Sequence, residues 1–421
     1  MLKRIATAQL QLGMYLHAFD GPWLDHPFWR CSFLLHEPSD LARALESGVE
    51  HCWIDPSRGA DEAPARAIAP RVDANDPGKP AAAASRPLEG RVSLEDELAR
   101  AARLCGSAAA EVRRMFDDAR LGRMIDAQRC LPLVDGVADS LKRHADALIG
   151  LTRLKRQDDY SYMHSVAVCA LMIGLARRLG LPEADCRDAG VAGLLHDIGK
   201  SLMPVDILDK PGRLDDAEFA VIRQHPARGH ELLSAGTGLP ESALDVCLHH
   251  HEKMDGSGYP HGLAGDRISL LARMGAICDV YDAVTSSRPY KHAWSPPEAL
   301  ARMVEWKGHF DPALLRAFIA TVGIYPLGSV VRLASGRVAV VVEQNATSPV
   351  LPVVKAFFSS KSGLPIEPQR IDLAQRGSTE RVVGIEDAAH WNAREVAQLW
   401  AAGAVPKGYA EESVKRARVR P

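Results

Sequence analysis

Histidine is spread unevenly along this chain: eleven of its sixteen imidazoles fall between Arg143 and Phe310. Inside that stretch stands Gly193-Leu194-Leu195-His196-Asp197-Ile198-Gly199-Lys200. A histidine and a carboxylate side by side after an apolar run cannot both be routine core residues. From a helix end, an imidazole nitrogen and a carboxylate oxygen on adjacent residues can reach one divalent cation or two neighbouring ones. Gly199 is expected to stop that helix, and Lys200 to set a cation where a bound phosphate needs one. A lone His-Asp pair is commonplace, so the weight rests on recurrence. His164 lies upstream, in a helix apolar on nearly every face; downstream lie His225, the run His249-His250-His251-Glu252, and Asp279. A buried neutral imidazole needs a partner for each ring nitrogen, and a metal can satisfy one of them. A donor set of His and carboxylate without thiolate suits iron, manganese or zinc rather than a closed structural zinc site. His144, His261, His292 and His309 lack this context and are expected at the surface or in hydrogen bonds. His230 and His249 stay outside the ligand set.

Further motifs follow in order: Leu208-Asp209-Lys210-Pro211-Gly212, His225 with Gly229, Asp255-Gly256-Ser257-Gly258-Tyr259-Pro260, Gly262-Leu263, Asp279-Val280-Tyr281-Asp282-Ala283 and Arg288-Pro289-Tyr290-Lys291. Two glycines and a proline make residues 255–260 a hinged loop. Arg288 and Lys291 carry the two cations that a phosphodiester calls for. Together these motifs resemble the HD-GYP domain, the cyclic-di-GMP phosphodiesterase branch of the HD metal hydrolases, from about Tyr160 to about Ala313. The resemblance implies metal ligands at His164, His196, Asp197, His225, His250, His251 and Asp279. It places His196, Asp197 and Lys200 at the reacting centre and turns Lys200, Tyr259, Arg288 and Lys291 toward substrate. It implies opening of cyclic-di-GMP to pGpG, with a second cut to GMP left open, in a signalling role. Some members hold a third metal with a glutamate four residues before the first ligand histidine. Tyr160 stands at that position, and neither Asp158 nor Asp159 replaces it, so two divalent ions, iron or manganese, are expected per chain. Two other readings stay open: a cyclic-di-GMP-sensing interaction module with little turnover, which the intact ligand set disfavours, and an HD hydrolase for another cyclic dinucleotide.

At 421 residues the chain exceeds one ordinary core. The expected fold is multidomain and mainly α. A small N-terminal α/β module (1–55) resembles the domain of unknown function that often precedes HD-GYP, and the cluster from Trp23 to Trp29 reads as its aromatic core. A disordered linker follows (56–92), rich in Ala, Pro and Gly. A capping-box-like start at Ser93 opens a helical connector (93–151). Then come the all-α HD-type metal-site domain (152–324) and a small β-rich C-terminal module with a terminal helix and basic tail (325–421), where the apolar period changes to two. A net charge of -2, from 51 basic and 53 acidic residues, gives no field for nucleic acid or an anionic membrane, and neither is an expected partner. Protein partners through the N-terminal module or the Gly-Tyr-Pro loop, and a homodimer, are left open. The 8 cysteines show no Cys-x-x-Cys spacing and read as reduced core thiols. No apolar run approaches the ~18 residues of a membrane span, and the start lacks a signal peptide's apolar stretch. A cytoplasmic protein is expected.

Overall fold

Alternating burial builds the first part of the chain. In β4 (His51–Ile54) Cys52 and Ile54 point inward while His51 and Trp53 are half-exposed, the period-two pattern of a strand covered on one face. β4 pairs antiparallel with β1 (Lys3–Ala6) and β2 (Tyr15–Phe19), and β2 pairs with β3 (Phe33–Leu34), giving the order β1-β4-β2-β3. Ile5, Leu10, Met14, Leu16, Leu35, Ala44, Cys52 and Ile54 form its core, with Ala44 supplied by α1 (Pro38–Leu45). The computed structural model describes residues 3–19, 33–36, 38–45, 50–60, 93–153, 160–210, 212–286, 293–345, 348, 350–375, 377–386 and 390–401. The Trp23 to Trp29 cluster, Asp158, Asp159, Arg288, Lys291 and the basic tail therefore lie outside the described residues. So does the Tyr160 side chain. Residues Met1–Gly90 form one compact unit and Arg91–Pro421 a second.

The second unit is helical for most of its length. Ser93 caps α2 (Leu94–Arg120) by accepting from the Asp96 amide. α3 (Ala127–Thr152) is broken at His144, whose φ of -160° and ψ of 98° leave the helical region. Glu97, wholly buried on α2, accepts from Ser140 Oγ at 2.7 Å and from Arg143 Nε at 2.6 Å, which ties α2 to α3. α4 (Tyr160–Arg178) occupies the centre: from Val166 to Ile173 every side chain is at most 2% exposed. A helix apolar on all faces can satisfy the hydrophobic effect only in a core, where each large aliphatic side chain contributes about 1.5–3 kcal/mol. α5 (Glu183–Leu195) packs on α4 and ends before His196.

Gly199 does not stop that helix. It lies inside a 3-10 turn, Ile198–Leu202, that follows His196-Asp197. The reason for glycine there is proximity: a Cβ would stand 2.0 Å from the His225 carbonyl oxygen and 2.6 Å from the Gly229 nitrogen. The turn therefore lies directly against α8 (His225–Ser234), reached through α6 (Val205–Leu208) and α7 (Asp216–Ile222). Next come α9 (Glu241–His249), α10 (Leu270–Thr285), α11 (Pro296–Glu305) and α12 (Pro312–Val322).

The chain closes with a five-stranded antiparallel sheet in the order β8-β7-β6-β5-β9. Its strands are β5 (Val330–Leu333), β6 (Arg337–Glu343), β7 (Val353–Ser359), β8 (Leu364–Asp372) and β9 (Val382–Ile385). The apolar period of the sequence marks β5, β6 and β7. β8 and β9 are mostly exposed, so no buried face writes itself into their residues. α13 (Ala393–Ala401) covers β6, with Trp400 6% exposed. The mainly α architecture with small β-containing ends agrees with the sequence expectation. The seven described cysteines are buried. No helix among the described residues is long and apolar enough to cross a membrane.

Candidate metal centre

Five helices deliver seven side chains to one place, from within them or from the residues that directly follow them. His164 comes from α4, His196 and Asp197 from the end of α5, His225 from the start of α8, His250 and His251 from the end of α9, and Asp279 from the middle of α10. Their donor atoms fall into two groups: Asp197 with His225, His250 and His251, and Asp197 with His164, His196 and Asp279. Within each group the donor atoms lie within 4.8 Å of one another. All seven residues are buried except His251, which is half-buried.

Asp197 belongs to both groups, and its two oxygens divide between them. Oδ1 is 3.3 Å from His225 Nε2 and 3.7 Å from His250 Nε2. Oδ2 is 3.4 Å from His196 Nε2 and 3.5 Å from His164 Nε2. His164 Nε2 also stands 3.1 Å from Asp279 Oδ1. Ligands about 2.1 Å from a common ion stand about 3.0–3.4 Å apart in octahedral or tetrahedral geometry, so the observed spacings are those of an ion's coordination edges. A carboxylate that offers one oxygen to each group could serve both.

The tautomers are set by the backbone. His196 Nδ1 donates to Gly193 O at 2.8 Å, His225 Nδ1 to Ile222 O at 2.8 Å and His250 Nδ1 to Val246 O at 3.0 Å. A carbonyl can only accept, so each ring carries its proton on Nδ1 and presents the Nε2 lone pair. His225 Nε2 and His250 Nε2 consequently point two lone pairs at each other across 3.4 Å. Buried His196 Nε2 and Asp197 Oδ1 have no hydrogen-bond partner among the described residues. Facing lone pairs and orphaned buried acceptors repel one another unless a cation lies between them. The residues thus fit two divalent ions.

The charges agree. Burial works to raise the carboxyl of Asp197, yet Lys200, His196 and His164 hold it well below the usual carboxylate range. Asp279 is held well below that range too, where His164 and His196 overcome its burial. Burial pushes the His225 imidazole down to about 4 and, with His250 beside it, carries His251 well below its ordinary value. Both rings are therefore neutral, as ligands must be. Cys247 and Cys278 adjoin this region, but burial raises both thiols far above their usual pKa, so the donors stay nitrogen and oxygen.

Around the ligands stand residues that sequence reasoning did not single out. Asp282 Oδ2 accepts from His164 Nδ1 at 2.6 Å and so aims the ring. Its spacing from Asp279, three residues along α10, was the available signal. Replacing Asp282 with Asn is expected to weaken cation binding about 10- to 100-fold, the cost typical of losing such an orienting partner. Competition against a chelator measures this; unchanged affinity would show that His164 needs no orienting carboxylate. Glu252, 2% exposed, accepts from the His261 amide at 2.7 Å and the Leu263 amide at 3.0 Å, holding the loop after the ligand pair. A Cβ on Gly258 would come within 2.5 Å of Glu252 Cα, so this loop can fold back on residues 251–253 only with glycine there.

The loop lays Tyr259 over His251, ring centroids 4.8 Å apart at 29°. Lys200 Nζ donates to Asp197 Oδ2 at 2.5 Å, with 30% of its side chain exposed. His249, left outside the ligand set, instead donates to Asp245 at 2.7 Å and meets His261 at 3.1 Å.

An HD domain family profile matches residues 137–314, and a domain of unknown function, DUF3391, matches residues 2–130. A cyclic di-GMP phosphodiesterase of Pseudomonas aeruginosa is 52% identical over 95% of this chain and 96% of its own length. The response regulator RpfG of Xanthomonas campestris, a cyclic di-GMP phosphodiesterase, is 40% identical over 40% of this chain and 46% of its own. A 3'3'-cGAMP-specific phosphodiesterase of Vibrio cholerae is 40% identical over 34% of this chain and 28% of its own.

Proposed function

This chain, which carries a DUF3391 match at residues 2–130, belongs to the family of HD-domain cyclic di-GMP phosphodiesterases, and from that premise we propose that it opens cyclic di-GMP to pGpG at a pair of divalent cations. The observation that supports the site assignment is the division of Asp197 between two groups of imidazole and carboxylate donors, with the Nε2 atoms of His225 and His250 facing each other. Group one would hold its cation with Asp197, His225, His250 and His251, and group two with Asp197, His164, His196 and Asp279. Iron or manganese suits such nitrogen and oxygen donors. Bound there, a cation pair would supply Lewis acidity that lowers the pKa of water and offsets the negative charge building on the phosphate oxygens.

The protein's own residues then bind and orient. Lys200, 2.5 Å from the shared carboxylate and partly open to solvent, is placed to meet a non-bridging phosphate oxygen. Tyr259 closes one side of the cleft through its stack on His251. Arg288 and Lys291 follow α10, the helix that carries Asp279, and are assigned to the second phosphate. Replacing either with Ala is expected to leave cation content and melting temperature near wild type while kcat/KM falls by about 2–4 kcal/mol of transition-state stabilisation. Unfolding or cation loss would make them structural.

The deciding experiment incubates cation-loaded protein with cyclic di-GMP, 3'3'-cGAMP, cyclic di-AMP and guanosine polyphosphates, separates the products by chromatography and counts cations per chain. Cyclic di-GMP is expected to turn over fastest, with two cations per chain. Tight binding without turnover would favour a sensor, and preference for another nucleotide would replace the substrate.

A further inference from the structure

Beside the ligand groups the surface carries an aromatic and cationic ledge that cation chemistry does not need. α7 ends in Arg223, two residues before His225. The Arg223 guanidinium lies 4.7 Å from the centre of the Tyr259 ring and 5.9 Å from that of Phe219. Phe219 meets Tyr259 edge-on, centroids 6.5 Å apart at 81°, yet remains 47% exposed. Arg223 is exposed as well, and among the described residues no carboxylate pairs with it. Tyr259 joins this ledge to the centre: one neighbour is His251, and after burial the charges of Asp279 and Asp197 raise its hydroxyl's pKa.

Single exposed apolar residues need no explanation. An exposed phenyl ring at the mouth of a polar cleft, with an arginine lying over a tyrosine next to it, has the composition of a nucleobase platform, since bases stack on aromatic rings and guanidinium planes. We propose that Arg223, braced against Tyr259, reads a guanine of the substrate, with the exposed Phe219 as the surface against which that base stacks. The proposal rests on the phosphodiesterase reading and deepens it by naming the residue that selects the base. Guanine offers two adjacent acceptors, O6 and N7, which match the parallel N–H groups of a guanidinium. Adenine offers N7 beside an amino donor, which meets the same fork with a clash of donors. A guanidinium stacked on Tyr259 keeps its edge free to make those bonds.

The test compares holoenzyme and its Arg223→Ala, Arg223→Lys and Phe219→Ala variants on cyclic di-GMP, cyclic di-AMP and bis(p-nitrophenyl) phosphate, a diester with no base. Arg223→Ala is expected to lower kcat/KM for cyclic di-GMP about 10- to 100-fold, the order supplied by one bidentate base contact. Cyclic di-AMP and the aryl diester should change less than about 2-fold, and Lys should restore only part of the loss because it lacks the fork. Phe219→Ala should lower both dinucleotides alike and spare the aryl diester. An equal fall on both dinucleotides with Arg223→Ala would make it a phosphate contact and overturn the proposal, as would no change on any substrate. Wild-type protein that cleaves the aryl diester but not cyclic di-GMP would instead overturn the substrate reading on which the proposal rests.

Discussion

Asp197→Asn is expected to bind at most one cation per chain and to lose at least about 1000-fold in kcat/KM, or about 4 kcal/mol of transition-state stabilisation. The physical reason is the division of its two oxygens, Oδ1 toward His225 and His250, Oδ2 toward His196 and His164. An asparagine keeps the shape but replaces one oxygen with an amino group, which donates and carries no charge. Whichever way the amide turns, one group faces a donor where it needs an anion. His225→Ala makes the contrast, because it strips one ligand from one group only and should leave about one cation per chain. Elemental analysis of the two purified variants separates them. An Asn variant that retains two cations would show that Asp197 bridges nothing.

Gly199→Ala is expected to cost about 3–4 kcal/mol of stability, a large effect for one methyl group. The added Cβ would stand 2.0 Å from the His225 oxygen, 2.6 Å from the Gly229 nitrogen and 2.9 Å from Gly229 Cα. All three are backbone atoms, so no side chain can swing aside; the turn and α8 must separate. Because one of those atoms belongs to His225, the strain falls on a residue that faces Asp197. The denaturation midpoint should drop, and the loss of bound cation should be partial rather than complete. A variant with wild-type stability would mean that the turn and α8 are not packed as described. Gly258→Ala offers a control, since its clash lies within the loop at residues 251–253 and not between elements.

Much of the site was open to reading because its signals are chemical and local. His196-Asp197 and His250-His251 are adjacent in sequence, and a histidine such as His164 in an all-apolar helix has few reasons to be there. Residue type and context sufficed to nominate the donors, and the resemblance to a known family supplied the rest of that set. Asp282 carried only its spacing from Asp279, and Glu252 and Arg223 carried no comparable mark. Their roles depend on distances across 118, 9 to 11 and 36 residues of chain, which no spacing rule reports. The strands show the same limit. β5, β6 and β7 bury one or both faces and therefore alternate or run apolar, whereas β8 and β9 are held by backbone hydrogen bonds to their neighbours and look like loop in composition.

By itself, then, the sequence determined the mainly helical class, the apolar α4 that must be central, and the nitrogen and oxygen character of the candidate donors. Each follows from composition and period, which act locally. Only the tertiary structure decided that Asp197 divides its oxygens between two groups, that backbone carbonyls hold the Nδ1 atoms of His196, His225 and His250, and that Gly199 is a point of contact and not a helix stop. Those outcomes depend on where α5, α8 and α9 cross, and a crossing is set by the packing of many side chains at once.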